Sequence, residues 1–205
     1  MAFVFFAASS GASYARWANF DYRTFDLAFY VQGLWRLIHG HFDVSVLGVP
    51  LLGNHVEPIV FLITPIFGIL RHPMTLVLIQ NAALAAMGVL AFKIARRLTL
   101  NPTPALLLAI ALLLTPATGY VALHEFHPEA LAAPCILLMV QARLRNSLRG
   151  HWIWLIALLA CKENMALLAA AYCAVHLVLE RKRPIPELRA WYLWPLALSI
   201  VWFLL

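Results

Sequence analysis

The sequence predicts an all-α membrane protein, a bundle of transmembrane helices with interfacial or re-entrant helices in its first outer loop. Three observations carry this. Of 205 residues, 63% are hydrophobic and 12% are charged, about half the charged share of a soluble domain. Apolar runs recur in series along the chain, several approaching the roughly 20 residues needed to cross a 30 Å hydrocarbon layer. Basic residues gather at the ends of these runs instead of spreading over one face. A net charge of +6 therefore reads as membrane orientation and excludes a nucleic-acid footprint.

The first run, Ala2–Ala18, has no basic residue before it. It is expected to be a membrane helix, not a secretory signal. A mixed segment follows, Asn19–Glu57, and then apolar runs at Pro58–Leu70, Met74–Leu98, Pro104–Leu123, Ala130–Val140, Trp152–Cys161, Asn164–Leu179 and Trp191–Leu205. No repeat separates them, so residues 1–205 are expected to form one membrane domain. The last run stops without polar anchors, which suggests the N-terminal part of a longer protein. Cys135, Cys161 and Cys173 lie inside apolar runs without CxxC spacing and read as small lipid-facing or core side chains that carry no signal of redox compartment.

Basic turns set the expected sides. Lys93, Arg96 and Arg97 close one run, Arg143, Arg145 and Arg149 lie in a second turn, and Arg181, Lys182, Arg183 and Arg189 make a third. These are ten of the fifteen basic residues, and the positive-inside rule places all three turns in the cytoplasm. Pro58–Leu70, interrupted by proline, is too short to span and suits a re-entrant or interfacial segment. The first outer loop then runs from about 19 to 72, on the same side as His124–Glu129. That side collects Asp21, Asp26, Asp43, Glu57, Glu125 and Glu129, six of nine acids. It also collects His39, His41, His55, His72, His124 and His127, six of eight histidines. Titratable groups concentrated on one side of an apolar scaffold point to a site at the outer surface.

Within that loop, FDLAFYVQGLWRLIHGHF (Phe25–Phe42) reads as an amphipathic helix ended by Gly40. Leu27, Val31, Leu34, Trp35 and Ile38 share its apolar face, and Trp35 and Tyr30 are expected at headgroup level. Asp26 is either an N-terminal helix acid or a functional carboxylate. In GNHVEP, capping the next segment explains one of Asn54, His55 and Glu57 but not all three. In HEFHPEAL, His127 is a plausible N-cap before Pro128, with Glu129 in the first turn. The spacing is not the zinc-protease HExxH. Lys162-Glu163 separates two short runs, so it is either a compensating pair at a helix break or a contact for an anionic phosphate. Trp152–Leu179 is accordingly one crossing or a hairpin.

The ordered set FDLAFYVQGLWRLIHG, NHVEP, ARRL, FHPEAL and KEN resembles a prokaryotic family of multi-pass proteins, the domain of unknown function numbered twenty seventy-nine. That family is similar to the type-C (GT-C) glycosyltransferases, which take sugars from polyprenyl-phosphate donors. The superfamily's first outer loop is matched by Asp26, Tyr30, Gly40 and Glu57-Pro58, while Leu27 stands where many relatives carry a second acid. The resemblance implies a GT-C-like fold and a polyprenyl-phosphate sugar donor. Asp26 would be the general base, and Lys162, helped by Arg71, would hold the phosphate. His55, Glu57, His127, Glu129 and Glu163 would bind substrate. A divalent metal, if used, would lie among Asp26, His55, Glu57 and Glu129. Two other classes compete: an ion- or proton-coupled transporter subunit, and a non-catalytic metal-binding or assembly protein with His39, His41, His55, His124 and His127 as ligands.

Overall fold

The computed structural model describes residues 1–22 and 25–204. Arg23 and Thr24 of the first outer loop, and Leu205 at the end of the last apolar run, lie outside the described residues. The chain is helical almost throughout: α1 (Ala2–Ala18), α2 (Phe25–Ile38), α3 (Val60–Ile69), α4 (Pro73–Thr99), α5 (Pro102–Leu113), α6 (Pro116–Leu123), α7 (Ala132–Leu144), α8 (Leu148–Leu159), α9 (Met165–Leu179), α10 (Ile185–Leu188) and α11 (Trp194–Leu204). A 3-10 turn (Pro128–Leu131) leads into α7, and a π-helical turn (Arg189–Leu193) joins α10 to α11. A two-stranded antiparallel ribbon, β1 (Asp43–Val44) with β2 (Val49–Pro50), closes the loop after α2.

Helix α4, 27 residues long, is long and apolar enough to cross a membrane. Its start is set by Pro73 at the first helical position and by His72, whose Nδ1 accepts from the Met74 N–H at 3.1 Å. The run Pro104–Leu123, expected as one piece, is two helices meeting at 50°. Pro116 cannot donate to the ladder, and Thr115 caps the new helix by accepting from the Thr118 N–H at 3.3 Å. Together α5 and α6 are long enough for a second crossing, whereas α3, α8 and α9 are shorter apolar helices.

Side-chain ties fix which helix ends lie together. Arg97 donates to the Leu144 carbonyl at 2.7 Å, Arg143 pairs with Glu180, and Arg143 also donates to the Tyr192 hydroxyl at 2.5 Å. The three basic turns therefore share one end of the bundle. At the opposite end Arg16 holds the Leu123 carbonyl at 2.6 Å, Trp17 packs edge-on against His72 at 4.9 Å, and the Ile59 N–H donates to the Ala160 carbonyl at 2.9 Å. Helices α8 and α9 form a hairpin: α8 begins at the basic end, the break at Ala160–Asn164 lies at the other end, and α9 returns to Glu180. Its legs of 12 and 15 residues rise about 18 and 23 Å.

Helices α2 and α3 pack on each other over this second end. Together with α4, α7, α8 and α9 they enclose the main core of Leu34, Val60, Phe67, Leu76, Met139, Leu155 and Leu158. The buried face of α2 is Leu27, Phe29, Tyr30, Gly33 and Leu34. Trp35 lies off this buried face and is exposed, whereas Tyr30 turns inward because its hydroxyl has a carboxylate partner.

Candidate functional site

The site is assembled from four pieces of chain at the end opposite the basic turns. Helix α2 contributes Asp26 and, one turn on, Tyr30. The segment before α3 brings His55 and Glu57, the stretch between α6 and α7 brings His124 to Glu129, and the α8–α9 break brings Lys162 and Glu163.

Asp26 is not needed as a cap for α2, because Glu125 does that work from across the fold: its Oε2 accepts from the Leu27 N–H at 2.8 Å. The Asp26 carboxylate is half-buried, with Oδ2 3.4 Å from His127 Nε2. His127 is itself held twice. Its backbone N–H donates to Gln80 Oε1 at 2.9 Å, and its Nδ1 lies 2.9 Å from the Glu125 carbonyl. A carbonyl only accepts, so Nδ1 carries the hydrogen and Nε2 is the atom turned to Asp26. The His124 ring stacks between Tyr120 at 5.0 Å and His127 at 5.3 Å.

Beside this group lies a lysine between carboxylates. Lys162 Nζ is 2.7 Å from Glu129 Oε2 and 3.9 Å from Glu57 Oε1, and Tyr30 donates to Glu57 Oε2 at 2.6 Å. Burial raises the Glu57 carboxyl above its ordinary value, and the Tyr30 hydroxyl and Lys162 offset only part of that. Burial and the neighbouring Glu57 charge likewise raise the Tyr30 hydroxyl. Glu163 faces the other way: Oε1 is 2.8 Å from His55 Nδ1 and Oε2 accepts from the Val56 N–H at 2.9 Å. Burial opposes its ionisation, but its own backbone N–H, His55 and the Val56 N–H prevail and hold the carboxyl below the ordinary value.

Asp26, Glu57, His127, Glu129 and Lys162 thus come together, and His55 with Glu163 adjoins them through the α8–α9 break. Arg71 stands apart, exposed after α3, its Nε donating to the Gly68 carbonyl at 3.2 Å. Lys162 is not free for a phosphate in this arrangement, since two carboxylates already face its one charge. Nor do Asp26, His55, Glu57 and Glu129 share one ligand cluster, because His55 is bonded to Glu163, and Glu57 and Glu129 flank Lys162. Among the described residues, the donor atoms that do cluster are those of Asp26, His124 and His127, all within 4.8 Å of one another. In the sequence His124 stands out as one of six histidines in these segments and as one of five ligands of the metal-binding alternative, without Asp26 beside it, and Gln80 has no part in either. A lone polar pair, Gln80-Asn81, inside the apolar run of α4 was the available signal.

Two adjoining clefts open here. One of about 480 Å³ is lined by Arg16, Tyr22, Tyr120, His124 and Glu125 among others. A smaller one of about 240 Å³ is lined by Tyr120, His124, His127 and Glu129 with two neighbours. Carboxylates, imidazoles and an aromatic ring around a cleft suit a polar, hydroxyl-bearing ligand.

An apolar helical bundle with a membrane-length helix, basic turns at one end and most of its acids and histidines at the other has the make-up of a membrane protein. Residues 16–205 match the family described as "Predicted membrane protein (DUF2079)", and the chain belongs to that family. No curated protein and no solved structure matches it.

Proposed function

We propose that this protein is a multi-pass membrane glycosyltransferase of the GT-C kind, transferring a sugar from a polyprenyl-phosphate donor at the outer face. The observation that carries this is the placing of the Asp26 carboxylate, with His127 against it, beside a cleft lined by carboxylates and the exposed Tyr120 ring. A carboxylate so placed is suited to accept the proton of an acceptor hydroxyl as its oxygen attacks the anomeric carbon and the lipid phosphate leaves. The Tyr120 ring offers a face on which a sugar can stack. Glu129 and Glu57 offer acceptors to sugar hydroxyls, and Lys162 fixes the pair in place instead of meeting the phosphate. His55 and Glu163 anchor the segment carrying Glu57 to the α8–α9 break.

The test is transfer of labelled sugar from a polyprenyl-phosphate donor in membranes. Asp26→Asn keeps shape and cannot take the proton, so turnover falls by roughly 10²-fold or more. Wild-type turnover in a well-folded Asp26→Asn protein would remove Asp26 as the base.

A further inference from the structure

We infer that Asp26, His124 and His127 form a binding site for a first-row divalent metal ion, Zn²⁺ foremost. The inference stands on geometry alone, and it also deepens the transferase reading by naming what meets the donor phosphate.

Three features single this cluster out. The first is the hydrogen placement on His127. With Nδ1–H directed at the Glu125 carbonyl, a neutral ring presents the Nε2 lone pair to a carboxylate oxygen 3.4 Å away. Two acceptors then face each other, and a cation between them, a proton or a metal ion, resolves the conflict. A separation of 3.4 Å is longer than a good N–H···O bond. Two ligands about 2.1 Å from a tetrahedral ion lie roughly 3.4 Å apart. The second feature is the third donor, His124, whose ligand atom falls within 4.8 Å of the other two. Its ring is steadied by stacking on Tyr120. The third is the shell behind the ligands. Metal-binding histidines ordinarily donate their other N–H to a carbonyl or carboxylate, as His127 does, and the Gln80 side chain holds the His127 backbone in place.

Two imidazoles and one carboxylate favour a transition metal over Mg²⁺ or Ca²⁺, which prefer oxygen. Three protein ligands beside an open cleft are the arrangement of a site with a position left for water or substrate. Charge argues the same way for an anionic donor. Glu57 and Glu129 share Lys162, Asp26 and Glu125 add two carboxylates at the same end, Arg16 lines the adjoining cleft, and a divalent ion would offset the repulsion these acids offer a phosphate. Asp26 would meet the ion through one oxygen and keep the other for the acceptor's proton.

The experiment uses untagged intact protein in nanodiscs, stripped with chelator and titrated with Co²⁺ as a spectroscopic probe. The expected result is one Co²⁺ per chain with the intense visible absorption of a tetrahedral site. Displacement by Zn²⁺ but not by excess Mg²⁺ is expected as well. His127→Gln and His124→Phe, the latter keeping a ring against Tyr120, each weaken binding tenfold or more, while the exposed pair His39→Gln/His41→Gln leaves it unchanged. Zn²⁺ raises the melting temperature of the wild type and not of His127→Gln. Absence of saturable binding, or binding indifferent to both cluster variants, overturns the inference. None of these readouts involves sugar. Intact Co²⁺ binding without transfer counts against the transferase alone, and Asp26-dependent transfer without Co²⁺ binding counts against the ion alone.

Discussion

Two glutamates within reach of one helix break are pushed in opposite directions, and this has a pH signature. Glu163 is held below its ordinary value of 4.5, so the folded state prefers its charged form more than the unfolded chain does. The stabilisation from its bonds to His55 and Val56 is complete above 4.5 and disappears as pH falls through the lower folded value. Glu57 is raised, so its contribution has the opposite sign, present at low pH and lost as pH rises through its folded value. Glu163→Gln is therefore expected to melt below the wild type at neutral pH, with the gap closing as the pH is lowered past 4.5. A gap independent of pH would mean that the His55–Glu163 contact contributes through shape and not charge. Sequence position alone revealed that these residues were unusual, since charges at a break between apolar runs are costly. It did not reveal pairing. Along the chain Lys162 reads as half of a compensating pair with Glu163 or as a phosphate contact, because its partners, Glu57 and Glu129, lie more than thirty residues away.

Helix boundaries were the more legible level, because they depend on local chemistry. Run Met74–Leu98 became Pro73–Thr99, and the stop of α2 before Gly40 follows from the left-handed backbone there, φ +82°. The bend at Pro116 was equally local, yet an apolar run conceals it, since hydropathy does not register a missing N–H. The side of α2 that is buried was less legible than its existence. Tyr30 reads as an interfacial aromatic until Glu57 is placed opposite its hydroxyl. Between helices, α4 and α5 approach through Gly88, where an added Cβ would lie 2.6 Å from Leu113 Cδ1 and 2.8 Å from its Cγ. Small residues permit such close contact in membrane bundles. Gly88→Ala should force the Leu113 side chain or the helix away at a cost of about 1–3 kcal/mol. Equilibrium unfolding in detergent measures it, and an unchanged midpoint would show that Leu113 moves aside freely.

For the molecule as a whole, the two ends have different chemistry, and each is held together by its own polar ties. One end is held by Arg97 on the Leu144 carbonyl and Arg143 on Glu180, the other by Arg16 on the Leu123 carbonyl and the Lys162–Glu129 pair. If the basic end faces the cytoplasm, as the positive-inside rule requires, the acid and histidine cluster must face out, because the same bundle carries both. The check is single-cysteine labelling in intact cells, on a background with the buried Cys135, Cys161 and Cys173 replaced. Cysteines at His41 and Tyr120, both exposed at the cluster end, are expected to react with an impermeant reagent. Cysteines at Arg97, Arg145 and Lys182, all exposed at the basic end, should react only after permeabilisation. Uniform reversal would invert the orientation and leave the packing intact. Labelling at Lys182 with protection at Arg145 would be more serious, since residues flanking the Arg143–Glu180 pair cannot lie on opposite sides of a membrane. That outcome would break the α8–α9 hairpin, and with it the gathering of Lys162, Glu129 and Glu57 on which the site depends.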